Sequence, residues 1–118
     1  MKPLLLISRH APWSGLSARE TLDIALAGGA FDLPVSLLWQ GEGVYQLLAG
    51  QQPARLEQKN LQSQLSGLPL FGVDNLYVCG RSLEERGMDA GQLALEASVL
   101  DAPAIRELLA GHAQVLVF

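Results

Sequence analysis

The chain has 118 residues, 49% of them hydrophobic and only 17% charged, with a formal net charge of −4. That length suits one domain over residues 1–118 and excludes two. The acidic balance and scattered basic residues exclude a nucleic-acid grip or a polybasic membrane anchor, and the single cysteine, Cys79, excludes an internal disulfide or a Cys-rich metal site.

The apolar share is more than so small a domain hides easily. Either part of it lies at a subunit interface, which the surface-to-volume ratio favours, or a three-layer core is unusually well filled. One lone thiol suits a reducing, cytoplasmic setting.

Leu4 to Ser8 is a short apolar run, too brief for a signal-peptide core, and reads as a central strand buried on both faces. A loop with Pro12 and Gly15 follows. Ser17, with Glu20 three residues on, has the form of a capping box opening a helix, and Gly28-Gly29 is expected to end it. Pro34 to Gln40 is a second strand. Gly41-Glu42-Gly43 is a turn, and Val44 to Leu48 reads as one or two helical turns. Arg55 to Ser66 is a polar helix with Leu56, Leu61 and Leu65 inward, broken by Gly67 to Gly72.

Val73 to Cys79 holds the third strand, and Ser82 to Arg86 a short helix closed by Gly87. A fourth strand lies within Leu93 to Leu100, where Leu95-Glu96-Ala97 could equally continue a turn. Asp101 is a candidate N-cap with Pro103 just inside, for a helix over Ala104 to Ala110 that Gly111 stops. Gln114 to Phe118 is the last strand. No segment approaches transmembrane length. The βα alternation predicts an α/β fold: a three-layer α/β/α domain with a five-stranded, mainly parallel sheet. Sites in such sheets form at the carboxyl ends of strands, which singles out the loops after Ser8, Gln40 and Val78.

Cys79 stands at one of these ends, just before a short helix. A helix N-terminus together with Arg81 and Arg86 favours thiolate, which accepts sulfane sulfur by attacking a persulfide, while Glu84 and Glu85 oppose it. The alternative is a buried small hydrophobe. His10, beside Arg9, is either an acid/base or anion clamp near that thiol or a solvated loop residue. His112 sits at a helix end, and the two histidines lack metal-ligand spacing. The glycine pairs match no phosphate-binding fingerprint, and Ser14 and Ser17 lack a nucleophile elbow. Trp13, Trp39 and Tyr45 either anchor a partner or pack under the loops. Trp39, Val44, Tyr45 and Leu47 are the expected buried contacts near an interface. No cofactor and no metal are expected.

The segment Tyr77-Val78-Cys79-Gly80-Arg81-Ser82-Leu83-Glu84-Glu85-Arg86-Gly87-Met88-Asp89 resembles the V-C-x-x-S-L-x-E-R-G-(L/M)-D stretch of the TusC/DsrF family. Gly41-Glu42-Gly43-Val44-Tyr45-Gln46-Leu47-Leu48-Ala49-Gly50-Gln51-Gln52-Pro53 is similar to its D-G-V-(F/Y)-Q-L-L-x-G-Q-x-P. The opening strand followed by Ala11-Pro12 and the ending Val115-Leu116-Val117-Phe118 are also similar, so the resemblance runs the length of the chain.

The resemblance implies a DsrE/DsrF-like fold. It implies a cytoplasmic subunit that joins TusB-like and TusD-like chains in a heterohexamer, a dimer of heterotrimers. Such a complex passes persulfide sulfur from TusA to TusE for 2-thiolation of tRNA wobble uridine, with no tRNA or membrane contact expected of this chain itself. In the family the sulfur-accepting cysteine belongs to the TusD-type subunit. Cys79 occupies the matching place in more charged surroundings, so a mainly structural role with an auxiliary thiol is expected. The competing expectation is a stand-alone sulfurtransferase, or a DsrF-like sulfur-oxidation subunit, with Cys79 as persulfide carrier.

Overall fold

The computed structural model of the chain describes residues 3–48 and 63–118. Five strands, β1 (Leu4–Ser8), β2 (Val35–Trp39), β3 (Asn75–Cys79), β4 (Ser98–Leu100) and β5 (Gln114–Val117), form one sheet in the order β4-β3-β2-β1-β5. Every pairing is parallel, as the continuous apolar runs of β1 and β2 require of strands covered on both faces. Helices whose full extent lies among the described residues are α1 (Ser17–Ala30), α2 (Gly80–Glu85) and α3 (Ala102–Ala110). Among the described residues there are also three 3₁₀ segments, Gly41–Leu47, Leu68–Phe71 and Ala90–Gln92.

Strand alternation divides the core into two unequal halves. On one face Leu6, Leu37, Trp39, Leu76 and Val78 pack with Ala18, Leu22 and Ala25 of α1 and with Leu65, Leu68, Leu83 and Met88. On the other, Leu5, Ile7 and Leu38 lie under Ile105 and Leu108 of α3, with Tyr77 and Val115 partly covered. Burying one such side chain contributes about 1.5–3 kcal/mol, so the α1 face carries most of the stability.

Two helix signals resolve differently from expectation. The Glu20 amide donates to the Leu16 carbonyl at 2.9 Å, so Ser17 already lies inside α1 and caps nothing. Gly28 and Gly29 do not stop the helix, which continues to Ala30 and turns at Asp32, whose φ is 55°. They are glycines because of what they touch. A Cβ on Gly28 would lie 2.6 Å from Val35 Cγ2, and one on Gly29 would overlap the Phe71 carbonyl oxygen.

Elsewhere boundaries shift by a few residues. The expected turn and helical turns over 41–48 form a single 3₁₀ segment, α2 starts directly after Cys79, and β4 occupies only the end of Leu93–Leu100. Leu93 instead makes one antiparallel bridge with Leu48. Asp101 does cap α3, accepting from the Ala104 amide at 2.9 Å. The helix expected over 55–66 lies mostly outside the described residues. Its last turn is helical, with Leu65 buried. Among the described residues no helix is long and apolar enough to cross a membrane.

Candidate functional site

The carboxyl ends of β1, β2 and β3 converge on three connections that side chains tie together. The 3₁₀ segment after β2 lies directly on the end of β1. A Cβ at Gly43 would overlap the Ser8 carbonyl oxygen and sit 3.2 Å from Arg9 Cα, so only glycine fits there. From this segment the Gln46 side chain, almost fully buried, reaches three partners. Its Nε2 donates to Ser8 Oγ at 2.7 Å and to the His10 carbonyl at 2.8 Å. Its Oε1 accepts from Trp39 Nε1 at 3.2 Å. Every polar atom of this buried amide is thereby used, which is what makes its burial tolerable. On the other side the Ser82 hydroxyl of α2 accepts from the Gly41 amide at 2.9 Å. Gln46 thus joins the first connection to the second, and Ser82 joins the second to the third.

Cys79 is the last residue of β3 and the N-cap of α2, with φ −74° and ψ 115°. Its thiol is free and half-buried. In the sheet it pairs with Leu100, and strand alternation puts it on the face of Tyr77, toward α3. The two arginines expected to serve it have other partners. Arg81 Nε pairs with Glu85 at 3.0 Å on the surface. Arg86 donates to the Ser82 carbonyl at 3.1 Å, and its guanidinium lies 5.9 Å from the centre of the Tyr45 ring.

Neither histidine joins the thiol. His10 is exposed, and β2 stands between its strand and that of Cys79, a separation of about 10 Å between strand ends. His112 is at the opposite end of the sheet, where its ring meets the Leu108 carbonyl at 2.7 Å and Ser36 Oγ at 3.4 Å. An open depression of about 650 Å3 also lies away from Cys79, by the starts of β3 and β4, lined by Asp74, Leu76, Leu93 and Glu96 among others. No cluster of three or more His, Cys, Asp or Glu side chains that could hold a metal occurs among the described residues.

The residues expected as buried contacts near an interface have packing partners within this chain. Trp39, Val44 and Leu47 are buried inside this chain and belong to its core, because the 3₁₀ segment folds back onto the sheet. Tyr45 is half-buried and packs against Trp13, with ring centres 5.4 Å apart at 41°. It is Trp13 that faces outward, 57% exposed. Sequence reasoning passed over Gln46, Ser8 and Ser82. Gln46 had a signal, a polar residue inside the apolar run Val44-Tyr45-Gln46-Leu47-Leu48.

A family model described as "DsrE/DsrF-like family" matches residues 2–118. A "Protein TusC homolog" of Pseudomonas aeruginosa is 60% identical over 113 residues, covering 96% of this chain and 95% of that one. A "Protein TusC" of Shigella flexneri is 33% identical, with both chains covered in full. Among solved structures, the YchN protein of E. coli superposes with a TM-score of 0.83 at 22% identity, again over the whole of both chains, which speaks to the fold. Taken with the all-parallel sheet and the cysteine that ends its third strand, these matches make the chain a member of the DsrE/DsrF-like family, in its TusC/DsrF branch.

Proposed function

We propose that this chain is a TusC-type subunit of a cytoplasmic sulfur-relay complex, assembled with TusB-like and TusD-like chains as a dimer of heterotrimers. The complex passes persulfide sulfur from a TusA-like donor to a TusE-like acceptor, and the sulfur ends as 2-thiouridine at the tRNA wobble position. The observation that carries this is the 60% identity to a TusC homolog along nearly the whole of both chains. The surface supports assembly. Phe31 at the end of α1 is 77% exposed, and Leu70, in the 3₁₀ turn beside it, is 91% exposed. Large exposed apolar side chains on two adjoining elements are what a contact surface would use.

Within the complex the chain's role is mainly structural, and Cys79 is an auxiliary thiol. Its two neighbouring arginines are engaged elsewhere, and no histidine stands beside it to take a proton. The half-buried thiol still permits a carrier step. Cys79 thiolate attacks the outer sulfur of a donor persulfide, the donor S–S bond breaks, and the donor leaves as thiolate while Cys79 keeps the sulfane sulfur.

Purification from native lysate at natural expression levels tests the assembly. Recovery with TusB-like and TusD-like chains in one particle is expected. A monomer that turns over thiosulfate by itself would overturn the proposal in favour of a stand-alone sulfurtransferase.

A further inference from the structure

Trp13, Tyr45 and Arg86 come from three different connections and meet at the carboxyl end of the sheet. The Trp13 ring packs on Tyr45 at 5.4 Å, and the Arg86 guanidinium lies over the same Tyr45 at 5.9 Å. The frame beneath them is fixed by the Gln46 and Ser82 hydrogen bonds, so the group is held before anything binds. Two features set it apart from ordinary packing. Trp13 leaves more than half its surface in water, whereas Trp39, in the neighbouring strand, is buried with its N–H satisfied. Arg86 is half-buried, yet the ion pairs among the described residues, Arg19–Asp23 and Arg81–Glu85, do not include it. Among the described residues its guanidinium meets a carbonyl and an aromatic face but no carboxylate.

We infer that this ledge is the docking point for a partner protein that places a carboxylate on Arg86 and an apolar or aromatic side chain against Trp13. Trp, Tyr and Arg are the residue types that dominate interface energetics, and a guanidinium already partly out of water offers a fork for a carboxylate at reduced desolvation cost. A single-stranded nucleic acid can also stack on tryptophan and bind arginine. Here, however, exposed Glu42, Glu84 and Glu85 lie within three residues of Tyr45 or Arg86 along the chain, and among the described residues only Glu85 of the three is in an ion pair, with Arg81. A phosphate backbone would meet them with charge at every nucleotide, whereas a protein brings one carboxylate and can set its own cations against the glutamates.

The inference rests on the assembly proposed above, and its test separates the two. Acrylamide quenching of tryptophan fluorescence is measured on the native complex before and after dissociation by dilution. Trp13 is expected to be shielded in the complex and quenchable once released, and Trp13→Phe is expected to remove the difference. Trp13→Ala and Arg86→Gln should each raise the dissociation constant for the partner subunits about 30-fold. Arg86→Lys should recover part of that loss. The Trp13→Ala chain should keep its far-UV circular dichroism and lose only the few degrees of melting midpoint that the Tyr45 contact accounts for. A complex in which Trp13 stays quenchable and both variants bind as wild type overturns the ledge but leaves the relay proposal standing. Recovery of the chain with no partner subunit overturns both. A tRNA that quenches Trp13 in wild type but not in Arg86→Gln, with subunit affinity unaffected, assigns the ledge to RNA and overturns the inference.

Discussion

Replacing Gln46 by Leu should destabilise the chain by about 2–3 kcal/mol, although the new side chain is apolar and of similar size. The amide serves Ser8 Oγ, the His10 carbonyl and Trp39 Nε1. The three losses are unequal. His10 is exposed, so water can reach its carbonyl, and the Ser8 hydroxyl can rotate. The Trp39 N–H has no such recourse, since its side chain is 1% exposed. A buried donor without a partner costs about 1–3 kcal/mol, and the Ser8 loss adds about 1 kcal/mol, partly offset by apolar contact of the leucine. For a domain of this size, the midpoint of thermal unfolding should fall by about 8–12 °C, followed by circular dichroism. A double-mutant cycle isolates the cause. Trp39→Phe removes the stranded donor, so it should cost at least about 1 kcal/mol less in the Gln46→Leu background than in wild type. Additive effects, or a Gln46→Leu loss below about 0.5 kcal/mol, would refute the network as the link between the first two connections.

Gly43→Ala should cost about 2 kcal/mol or more in denaturant unfolding, because the added Cβ meets the backbone carbonyl of Ser8 rather than a side chain that can move. Asp101→Ala should lower stability by about 1 kcal/mol in the same assay, through loss of the cap on α3, and Asp101→Asn should restore most of it. Arg81→Ala should change stability by less than about 0.5 kcal/mol, since both partners of its ion pair with Glu85 are largely solvent-exposed.

Much of the fold could be read along the chain because its strands are continuous apolar runs separated by turn residues. Leu4–Ser8 and Val35–Trp39 are covered on both faces, and their uniform hydrophobicity says so directly. The Asp101 cap was equally legible, since the residue and its Pro103 signal are local. What misled was chemistry with two meanings. A glycine pair ends a helix or admits a close neighbour, and only the position of Val35 and Phe71 shows that Gly28 and Gly29 do the second. Ser17 and Glu20 have capping-box spacing, but the backbone enters the helix one residue earlier. At the site, the strand end of Cys79 was predictable, whereas the company it keeps was not. Arg81 and Arg86 are near it in sequence but turn to Glu85, Ser82 and Tyr45. The choice between anchor and packing left open for Trp39 and Trp13 is decided by a similar non-local contact: Gln46, seven residues from Trp39, supplies a buried acceptor that makes one indole a core residue, while the other stays on the rim.

The most direct test is the 2-thiouridine content of tRNA from three strains: one lacking this chain, one carrying only Cys79→Ser, and one carrying wild type. With the chain acting as an assembling subunit whose thiol is auxiliary, deletion should abolish the modification. Cys79→Ser should retain most or all of it, with the complex intact on native gels. Complete loss of 2-thiouridine in the Cys79→Ser strain with the complex still assembled, or unchanged 2-thiouridine in the deletion strain, would contradict the account.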